Sequence, residues 1–261
     1  MTRILITGAS DGLGRALAFA LAERGYELIV HGRDAARLAE VAERTGARAI
    51  RADLSSLAEV RRLAAEVEGD LEVLVNNAGI GFGPPGEPRQ FSADGYELRL
   101  AVNYLAPYLL TQLLLPRLKR SAPARIVNVA SVGQRQFDVD DPMMERDYDG
   151  TEAYRRAKLA LIAYTFDLAA ELTGTGVTAN CLHPATLMPT TMVRQARSGE
   201  IDTLERGLQA TLRLVVDPAL EGVSGRYFDR EHEARALDQA YDLDFRKRLR
   251  ELTESLVAAR G

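Results

Sequence analysis

Short apolar runs that alternate with longer segments of helical period are the feature that most restricts the fold of this 261-residue chain. Runs rich in Ile, Val and Leu, separated by helices, are typical of a parallel sheet that is covered by helices on both faces. The runs lie at residues 3–7, 27–31, 47–52, 73–76, 125–130, 177–182 and 225–228. The sequence therefore predicts an α/β fold with a doubly wound, Rossmann-type parallel sheet of about seven strands.

Length and composition predict one large domain. Apolar residues make up 46% of the chain, and a core of that size needs neither disulfides nor a structural metal. We find no internal repeat and no long linker in the sequence. Residues 1–261 are therefore interpreted as a single nucleotide-binding domain, in which residues from about 190 onward supply the substrate-side loops and helices, the last strand and a C-terminal helix.

Charge and cysteine content indicate the class of partner and the compartment. The formal net charge is −4, and acidic and basic residues are mixed along the chain, which argues against nucleic-acid or membrane-surface binding. Cys181 is the only cysteine, the N-terminus runs directly into a strand-like segment, and no apolar run approaches the ~20 residues of a membrane span. We therefore expect a cytoplasmic protein with a small-molecule substrate. His31, His183 and His232 are scattered without metal-ligand spacing, so no metal site is predicted.

A glycine-containing turn follows the first predicted strand and opens the first predicted helix. Glycines at such a turn let the backbone approach a pyrophosphate, and the helix N-terminus offers free N–H groups to the anion. The Gly-x3-Gly-x-Gly spacing differs from Gly-x-Gly-x-x-Gly and lacks the lysine of a P-loop. We predict a dinucleotide site, with a plain glycine turn as the alternative, formed by Gly8, Ser10, Asp11, Gly12, Leu13 and Gly14.

The end of the second predicted strand indicates which dinucleotide binds. An NAD enzyme usually places a carboxylate there, whereas this chain has His31-Gly32-Arg33. Because a guanidinium suits a 2′-phosphate and no carboxylate ends the strand, Arg33 favours NADP(H). The alternative is that Arg33 is a solvated surface charge. The carboxylate of Asp11 opposes the prediction if it lies near the same phosphate.

Tyr154 and Lys158 form a pair whose spacing of four places both on one face of a helix. A tyrosine hydroxyl has an unperturbed pKa of ~10 and needs a stabilised phenolate to transfer protons near neutrality. An ammonium at about 4 Å and an effective dielectric of about 20 contributes roughly 4 kcal/mol, or about three pKa units. We therefore predict that Tyr154 titrates near neutrality. Ser131 ends a predicted strand shortly before, at the sheet edge where such folds bind ligands.

Together these motifs resemble the classical short-chain dehydrogenases/reductases, from the N-terminus to about Thr190. The Asn76-Asn77-Ala78-Gly79 turn after the fourth predicted strand is the most specific of them. The resemblance implies homodimers or homotetramers, and it implies a catalytic tetrad of Asn103, Ser131, Tyr154 and Lys158. It further implies cofactor contacts, or structural support in the case of the asparagines, from Asp53, Leu54, Asn77, Ala78, Gly79, Tyr154, Lys158, Pro184 and either Thr186 or Thr190.

The implied activity is that of an NADP(H)-dependent carbonyl reductase or alcohol dehydrogenase. In it, Tyr154 gives a proton to the carbonyl oxygen, Ser131 polarises that oxygen, Lys158 holds the ribose and Asn103 anchors a water. A non-catalytic NADP(H)-binding redox sensor or scaffold is the main alternative. A nucleotide-sugar epimerase or dehydratase would usually need a larger C-terminal domain than this chain supplies.

Two features depart from the usual family pattern. Ser131 and Tyr154 are 23 positions apart, about twice the common separation, and the acidic insert at residues 132–152 resembles the retinol-dehydrogenase-like and WW-domain-oxidoreductase-like branch. The insert either lines a substrate pocket, where it would determine specificity, or packs on the surface. His183-Pro184-Ala185 stands where Pro-Gly is common, which predicts a stiffer loop over the nicotinamide. A C-terminal helix covers either the pocket or a partner.

Overall fold

A computed structural model describes residues 2–195 and 199–259, and one eight-stranded sheet lies at its centre. The strand order is β3-β2-β1-β4-β5-β6-β7-β8. All neighbouring pairs are parallel except β7 with β8, which is antiparallel. The strands are β1 (Arg3–Ile6), β2 (Glu27–Gly32), β3 (Arg48–Arg51), β4 (Val73–Asn76), β5 (Ala124–Val129), β6 (Val177–His183), β7 (Tyr227–Asp229) and β8 (His232–Ala234).

The predicted doubly wound α/β fold is confirmed, and the seven predicted strands correspond to β1–β7, to which the structure adds an antiparallel edge strand. This added strand, β8, contains only His-Glu-Ala and has no apolar run. An antiparallel strand at the edge of a sheet can leave a face exposed to solvent. Its sequence therefore need not contain the apolar run that marks a buried parallel strand.

Helices cover both faces of the sheet, and alternate side chains of each strand reach opposite faces. Ile4 and Ile6 pack into the core beneath α1 (Gly12–Glu23), α2 (Ala35–Thr45) and α8 (Leu204–Val216). Leu5 packs into the other core, beneath α3 (Leu57–Glu66), α5 (Ala106–Arg120) and α6 (Gly150–Glu171). The remaining helices are α4 (Leu98–Leu100), α7 (Thr191–Gln195) and α9 (Leu243–Ala258).

Polar side chains begin several of these helices, as the sequence chemistry requires. Asp34, Ser56 and Asp149 each accept a hydrogen bond from the backbone N–H three residues later, at the starts of α2, α3 and α6. These bonds satisfy N–H groups that have no partner inside the helix. The cap at Asp149 therefore fixes where the helix that carries Tyr154 begins.

Among the residues that the structure describes, one helical segment is long and apolar enough, by length and composition alone, to cross a membrane, so the expectation that no such segment exists was too strict. It is Leu98–Arg120, with a mean hydropathy of 1.2 and 83% of its apolar window buried. The segment packs against α3 and α6 within the sheet's helical layer. Its apolar character is therefore accounted for by core packing in the fold described.

The middle of the 132–152 insert is fastened to the C-terminal helix. Phe137 is buried, with its ring 6.5 Å from that of Phe245 on α9, and Arg248 forms an ion pair with Asp140 at 2.8 Å. The helix α9 itself packs on α6. Of the two alternatives for the insert, packing applies to its middle, and only its ends reach the ligand cleft.

The order of the strands determines where a ligand can bind. The chain runs outward from β1 to β2 and β3 on one side, and then crosses back to β4, on the other side of β1. Such a switch point leaves a crevice at the carboxyl ends of the strands, between the two sets of connecting loops. The glycine turn after β1 and the Asn-Asn-Ala-Gly turn after β4 meet at this crevice.

Candidate active site

A cleft of about 920 Å³ occupies the carboxyl edge of the sheet at this crevice. Its size suits an extended ligand with a second small molecule beside it. Ser131 lines the cleft, as do all of the predicted cofactor residues: Gly8, Ser10, Asp11, Gly12, Leu13, Gly14, Arg33, Asp53, Leu54, Asn77, Ala78, Gly79, Tyr154, Lys158, Pro184, Thr186 and Thr190. Residues from the six loops that follow β1 to β6, and from α6, are therefore brought to one place by the sheet.

The glycine turn is packed so closely that side chains are excluded from it. Gly8 and Gly12 have positive φ values of 68° and 52°. A Cβ at Gly14 would lie 2.3 Å from the Gly8 carbonyl oxygen, well inside van der Waals contact. Asp11 caps α1 by accepting a hydrogen bond of 2.8 Å from Gly12 N. The turn therefore exposes backbone at a helix N-terminus, which is the arrangement that binds anions.

His31 braces this turn from beneath, a role that the sequence did not indicate. Gly8 N–H donates to His31 Nδ1 at 3.3 Å, and His31 Nε2 lies 3.1 Å from the Ala52 carbonyl oxygen. A carbonyl only accepts, so Nε2 carries the proton and Nδ1 is the acceptor. Burial lowers the pKa of His31 to about 4, which keeps the ring neutral. No local pattern reveals such a bond, because its partners are 21 to 23 residues away.

The two asparagines of the Asn-Asn-Ala-Gly turn have different tasks. Asn76 is buried, and its Nδ2 donates to Thr111 Oγ1 at 2.9 Å and to Asn128 Oδ1 at 2.8 Å. Asn77 Nδ2 donates to the carbonyls of Thr7 and Gly8, at 2.8 and 3.2 Å. Asn76 thus joins β4 to β5 and α5, whereas Asn77 ties the glycine turn to β4 and lines the cleft.

Two arginines, not one, stand at the end of β2. Arg33 is exposed at the cleft, as predicted, and Arg37 lines the same part of it. Arg37 was missed, although its spacing of four from Arg33 at the start of α2 was an available signal. The expectation of no carboxylate at this strand end is wrong, because Asp34 lines the cleft next to Arg33. Arg37 lies 3.7 Å from both Asp34 and Asp11, so it partly offsets their charge.

Lys158 is buried, and its ammonium lies over the ring of Tyr154. Its Nζ donates to the Val129 carbonyl oxygen at 2.8 Å and lies 5.8 Å from the centre of the Tyr154 ring. Burial lowers the pKa of Lys158 to about 8, because an ammonium loses hydration in the interior.

The pKa of Tyr154 moves in the opposite direction to the prediction. Burial raises it above the usual value for tyrosine, and a hydrogen-bonding interaction with Ser131 only partly opposes this effect. The prediction of a near-neutral Tyr154 assumed an ammonium at about 4 Å that stabilises the phenolate. In the chain by itself, Lys158 is turned to Val129, so desolvation of the phenolate dominates and Tyr154 holds its proton at neutral pH.

Ser131 is held at the end of β5 from two sides. Its Oγ accepts a hydrogen bond of 3.0 Å from Gly133 N, and its carbonyl oxygen accepts one of 3.2 Å from the hydroxyl of Tyr227 on β7. With Oγ already an acceptor on one side, its hydrogen is available to a group in the cleft. Tyr227 is a supporting residue that sequence reasoning missed.

Asn103 does not line the cleft but stands directly behind Gly79. It lies in a π-helical turn, Ala101–Leu105, that interrupts the helix between α4 and α5. Its Oδ1 accepts from Ile80 N at 2.8 Å and its Nδ2 donates to Ile80 O at 3.0 Å. A Cβ at Gly79 would lie 3.1 Å from Asn103 Oδ1 and 3.5 Å from Lys158 Nζ. The predicted tetrad residues are therefore neighbours, and Asn103 also fixes the backbone of the cleft wall.

The loop after β6 is held by a charged cluster at its base. Asp202 accepts hydrogen bonds from Thr186 N at 2.8 Å and from Arg230 Nη2 at 2.9 Å, and His183 Nε2 is 3.0 Å from Thr186 Oγ1. The hydroxyl of Thr186 is thereby engaged inside the loop. Thr190 instead lies over the glycine turn, since a Cβ at Gly12 would be 3.0 Å from its Cγ2. The two candidate threonines thus face different parts of the cleft.

Comparison with known proteins identifies related sequences along most of the chain. The family model for short chain dehydrogenases matches residues 2–201. Retinol dehydrogenase 14 of Homo sapiens is 36% identical over 291 residues, covering 97% of this chain and 85% of the relative. Retinol dehydrogenase 12 of Homo sapiens is 36% identical over 247 residues, covering 86% and 76%.

Solved structures agree with this relationship. RhlG of Pseudomonas aeruginosa, in an active-site complex with NADP, superposes with a TM-score of 0.70 at 30% identity, covering 87% of this chain and 94% of that one. The 3-ketoacyl-(acyl-carrier-protein) reductase of Brucella melitensis, complexed with NADH, gives 0.72 at 26% identity and covers 88% and 98%. These relatives carry different nicotinamide nucleotides, so the likeness supports a nicotinamide cofactor without selecting one. By its sequence and its fold, this chain belongs to the short-chain dehydrogenase family of oxidoreductases, in the retinol-dehydrogenase-like branch.

Proposed function

We propose that the protein is an NADP(H)-dependent oxidoreductase that interconverts a carbonyl compound and the corresponding alcohol, with Tyr154 as the general acid and base. The observation that carries the proposal is the convergence of Ser131, Tyr154 and Lys158 in the same cleft as the glycine turn. A binding protein or redox sensor would need only the residues that bind the nucleotide. This cleft also contains the hydroxyls of Ser131 and Tyr154 and the ammonium of Lys158.

The residues of the cleft fit a nicotinamide dinucleotide. Gly14 has no room for a side chain, and the glycines of the turn leave its backbone uncovered. The backbone N–H groups at the start of α1 can therefore approach a pyrophosphate. Asp53 and Leu54 are assigned to the adenine, Lys158 to the ribose, and Pro184 with either Thr186 or Thr190 to the nicotinamide end. When bound, the cofactor supplies the hydride chemistry, and the protein supplies orientation and proton transfer.

The protonation states support reduction of a carbonyl. Because burial raises the pKa of Tyr154, its phenol carries a proton at neutral pH and can donate it to a carbonyl oxygen. The available hydrogen of Ser131 can bind the same oxygen, and the hydrogen-bonding interaction of Ser131 with Tyr154 favours the negative charge left on Tyr154. In the reverse direction, Tyr154 would receive the proton of an alcohol.

Substitution of the tyrosine tests this assignment. We expect Tyr154→Phe to lower kcat/KM for carbonyl reduction by about 10²- to 10⁴-fold while NADPH still binds. Turnover is followed by oxidation of NADPH with a panel of aldehydes, ketones and quinones, which should include retinal because relatives in the same branch are retinol dehydrogenases. Tyr26→Phe, immediately before the amino end of β2 and outside the cleft, is the matched control. Near-wild-type turnover by Tyr154→Phe would refute the assignment.

The choice of NADP(H) over NAD(H) rests on Arg33 and Arg37. A guanidinium that binds a 2′-phosphate forms charge-assisted hydrogen bonds of about 1.5–3 kcal/mol. We therefore expect Arg33→Ala to weaken NADPH binding by about 10- to 150-fold and NADH binding little, as measured by titration calorimetry. Arg24→Ala, an exposed change at the end of α1, is the control. An equal effect on both nucleotides would contradict the assignment.

We retain two further expectations as part of the proposal: a cytoplasmic location, and a homodimer or homotetramer. The helix α9 covers part of α6 by packing of Phe245 and by the Arg246–Asp167 ion pair at 3.2 Å. An interface on that part of α6 would have to include α9. A mass measured by light scattering decides the subunit number, and cell fractionation decides the location.

A further inference from the structure

Arg99 joins the two sequence stretches that flank the substrate end of the cleft. It lies in the short helix α4, and its side chain is 3% exposed. Its Nε donates to the Gly81 carbonyl oxygen at 3.3 Å, and its Nη2 donates to that of Phe82 at 3.2 Å. Its Nη1 donates to the hydroxyl of Tyr148 at 2.8 Å. One guanidinium therefore binds the loop at residues 81–89 and the end of the insert.

The charge of Arg99 is balanced by two carboxylates. Glu87, in the loop, lies 3.1 Å from Arg99 Nη2, and Glu97, which is buried, lies 3.6 Å from Nη1. Glu97 also accepts hydrogen bonds from Tyr148 Oη at 3.1 Å and from Leu100 N at 2.7 Å. Because a buried charge is costly without partners, removal of any member of this cluster releases the others from their positions.

The cluster fixes the position of Phe82. The ring of Phe82 meets that of Tyr154 edge to face, with centroids 5.9 Å apart and planes at 81°. Its carbonyl lies against the start of α6, where a Cβ at Gly150 would be 2.4 Å from the oxygen. Phe82 is therefore held between the Arg99 guanidinium and the helix that carries Tyr154.

Phe82 contributes to the walls of two neighbouring spaces. It lines the main cleft and also a neighbouring cavity of about 280 Å³, whose other walls are the 81–89 loop and residues 148–151. Thr151 is likewise shared by both. Movement of Phe82 would therefore change the volume that is available in the cleft beside Tyr154.

We propose that Arg99, through Tyr148 and Glu87, is a positioning residue that determines substrate size by holding Phe82 as the wall beside Tyr154. The proposal rests on the proposed function of the same cleft. It assigns specificity to the contact between the 81–89 loop and the last residues of the insert, whereas the middle of the insert serves packing. Arg99 itself touches neither substrate nor cofactor.

Kinetic selectivity tests the proposal. We expect Arg99→Met to change the ratio of kcat/KM for a bulky aromatic aldehyde to that for a small aliphatic aldehyde by about fivefold or more, in favour of the bulky one. NADPH affinity should stay within about twofold of wild type. A purely structural loss would lower both kcat/KM values equally and leave the ratio unchanged. Arg246→Met, which breaks a partly buried ion pair on α9, is the matched control.

A second measurement does not depend on catalysis. Arg89 offers a tryptic site two residues after Glu87, and its own Nη1 donates to the carbonyls of Met143 and Met144. Because Arg99 holds Glu87, Arg99→Met should be cleaved after Arg89 faster than wild type or Arg246→Met. Tyr148→Phe, which removes one hydroxyl and leaves the charges intact, should shift both readouts in the same direction. If Arg99→Met does not fold, Tyr148→Phe tests the proposal in its place.

The outcomes separate the two proposals. If the wild-type protein turns over no carbonyl or alcohol, the proposed function fails, and cleavage after Arg89 alone decides whether Arg99 holds the loop. Faster cleavage with an unchanged selectivity ratio would overturn the specificity role. Unchanged cleavage in both variants would overturn the proposal as a whole.

Discussion

The buried His31 should make the stability of this protein depend on pH above the range in which carboxylates titrate. Its neutral ring accepts a hydrogen bond from Gly8 N–H through Nδ1, and protonation at Nδ1 would place two N–H groups against each other. We propose His31→Asn as the perturbation, because an amide oxygen can still accept from Gly8 but does not titrate in this range.

The sign and size of the effect follow from the pKa of His31. The value is 6.5 for an unperturbed histidine and about 4 in the folded protein, because burial opposes the charged form. The unfolded chain therefore binds more protons, so the stabilisation is present above pH 6.5 and is lost as the pH falls towards 4. Linkage gives a loss of about 2 kcal/mol between about pH 7 and about pH 5, and about 3 kcal/mol as the limit.

Urea unfolding measures this difference, with far-UV circular dichroism as the signal because the chain contains no tryptophan. Between about pH 7 and about pH 5, the free energy of unfolding should decrease in both proteins. The decrease should be about 2 kcal/mol smaller for His31→Asn than for wild type. The exposed His232→Asn is the control and should behave as wild type. Equal pH dependence in wild type and His31→Asn would refute the argument that His31 is neutral and buried.

Two further predictions concern the walls of the cleft. Gly14→Ala should cost about 1–3 kcal/mol of stability and abolish NADPH binding, because its Cβ would meet the Gly8 carbonyl oxygen. The control is Gly46→Asn, at the left-handed end of α2, where a Cβ would have no atom within 4 Å. This variant should bind NADPH normally in the same titration. Asp202→Asn should lower the free energy of unfolding at neutral pH by weakening the hydrogen bond from Arg230. The Asp202 pKa of about 2, below the usual 3.8, means that thermal unfolding of this variant and of wild type should converge as the pH falls through that range, and a constant difference would contradict the assignment.

The fold could be predicted because its determinants are local or periodic. Each parallel strand appears in the sequence as an apolar run. The turn after β1 is indicated by three glycines, which let the backbone approach a pyrophosphate. The eighth strand could not be predicted, since an antiparallel edge of His-Glu-Ala has no such pattern.

Residue types and family resemblance predicted the location of the site correctly, but they did not predict its electrostatics. The predicted cofactor residues and Ser131, Tyr154 and Lys158 all reach one cleft, because the carboxyl ends of parallel strands share one edge. The predicted pKa of Tyr154 was wrong in direction. A spacing of four puts two side chains on one helix face, but it does not say that the Lys158 ammonium turns to Val129 instead.

The sequence by itself determined the strand–turn–helix units, the glycine turn and the identity of the groups that can bind a dinucleotide and move a proton. Tertiary structure alone decided which groups are buried, and therefore the pKa values of His31 and Lys158, the bracing of the glycine turn and the hold of Arg99 on Phe82. The physical reason is range: secondary structure follows from neighbours within a few residues, whereas desolvation and hydrogen bonds such as Arg99 to Tyr148, 49 residues apart, exist only after the chain has packed.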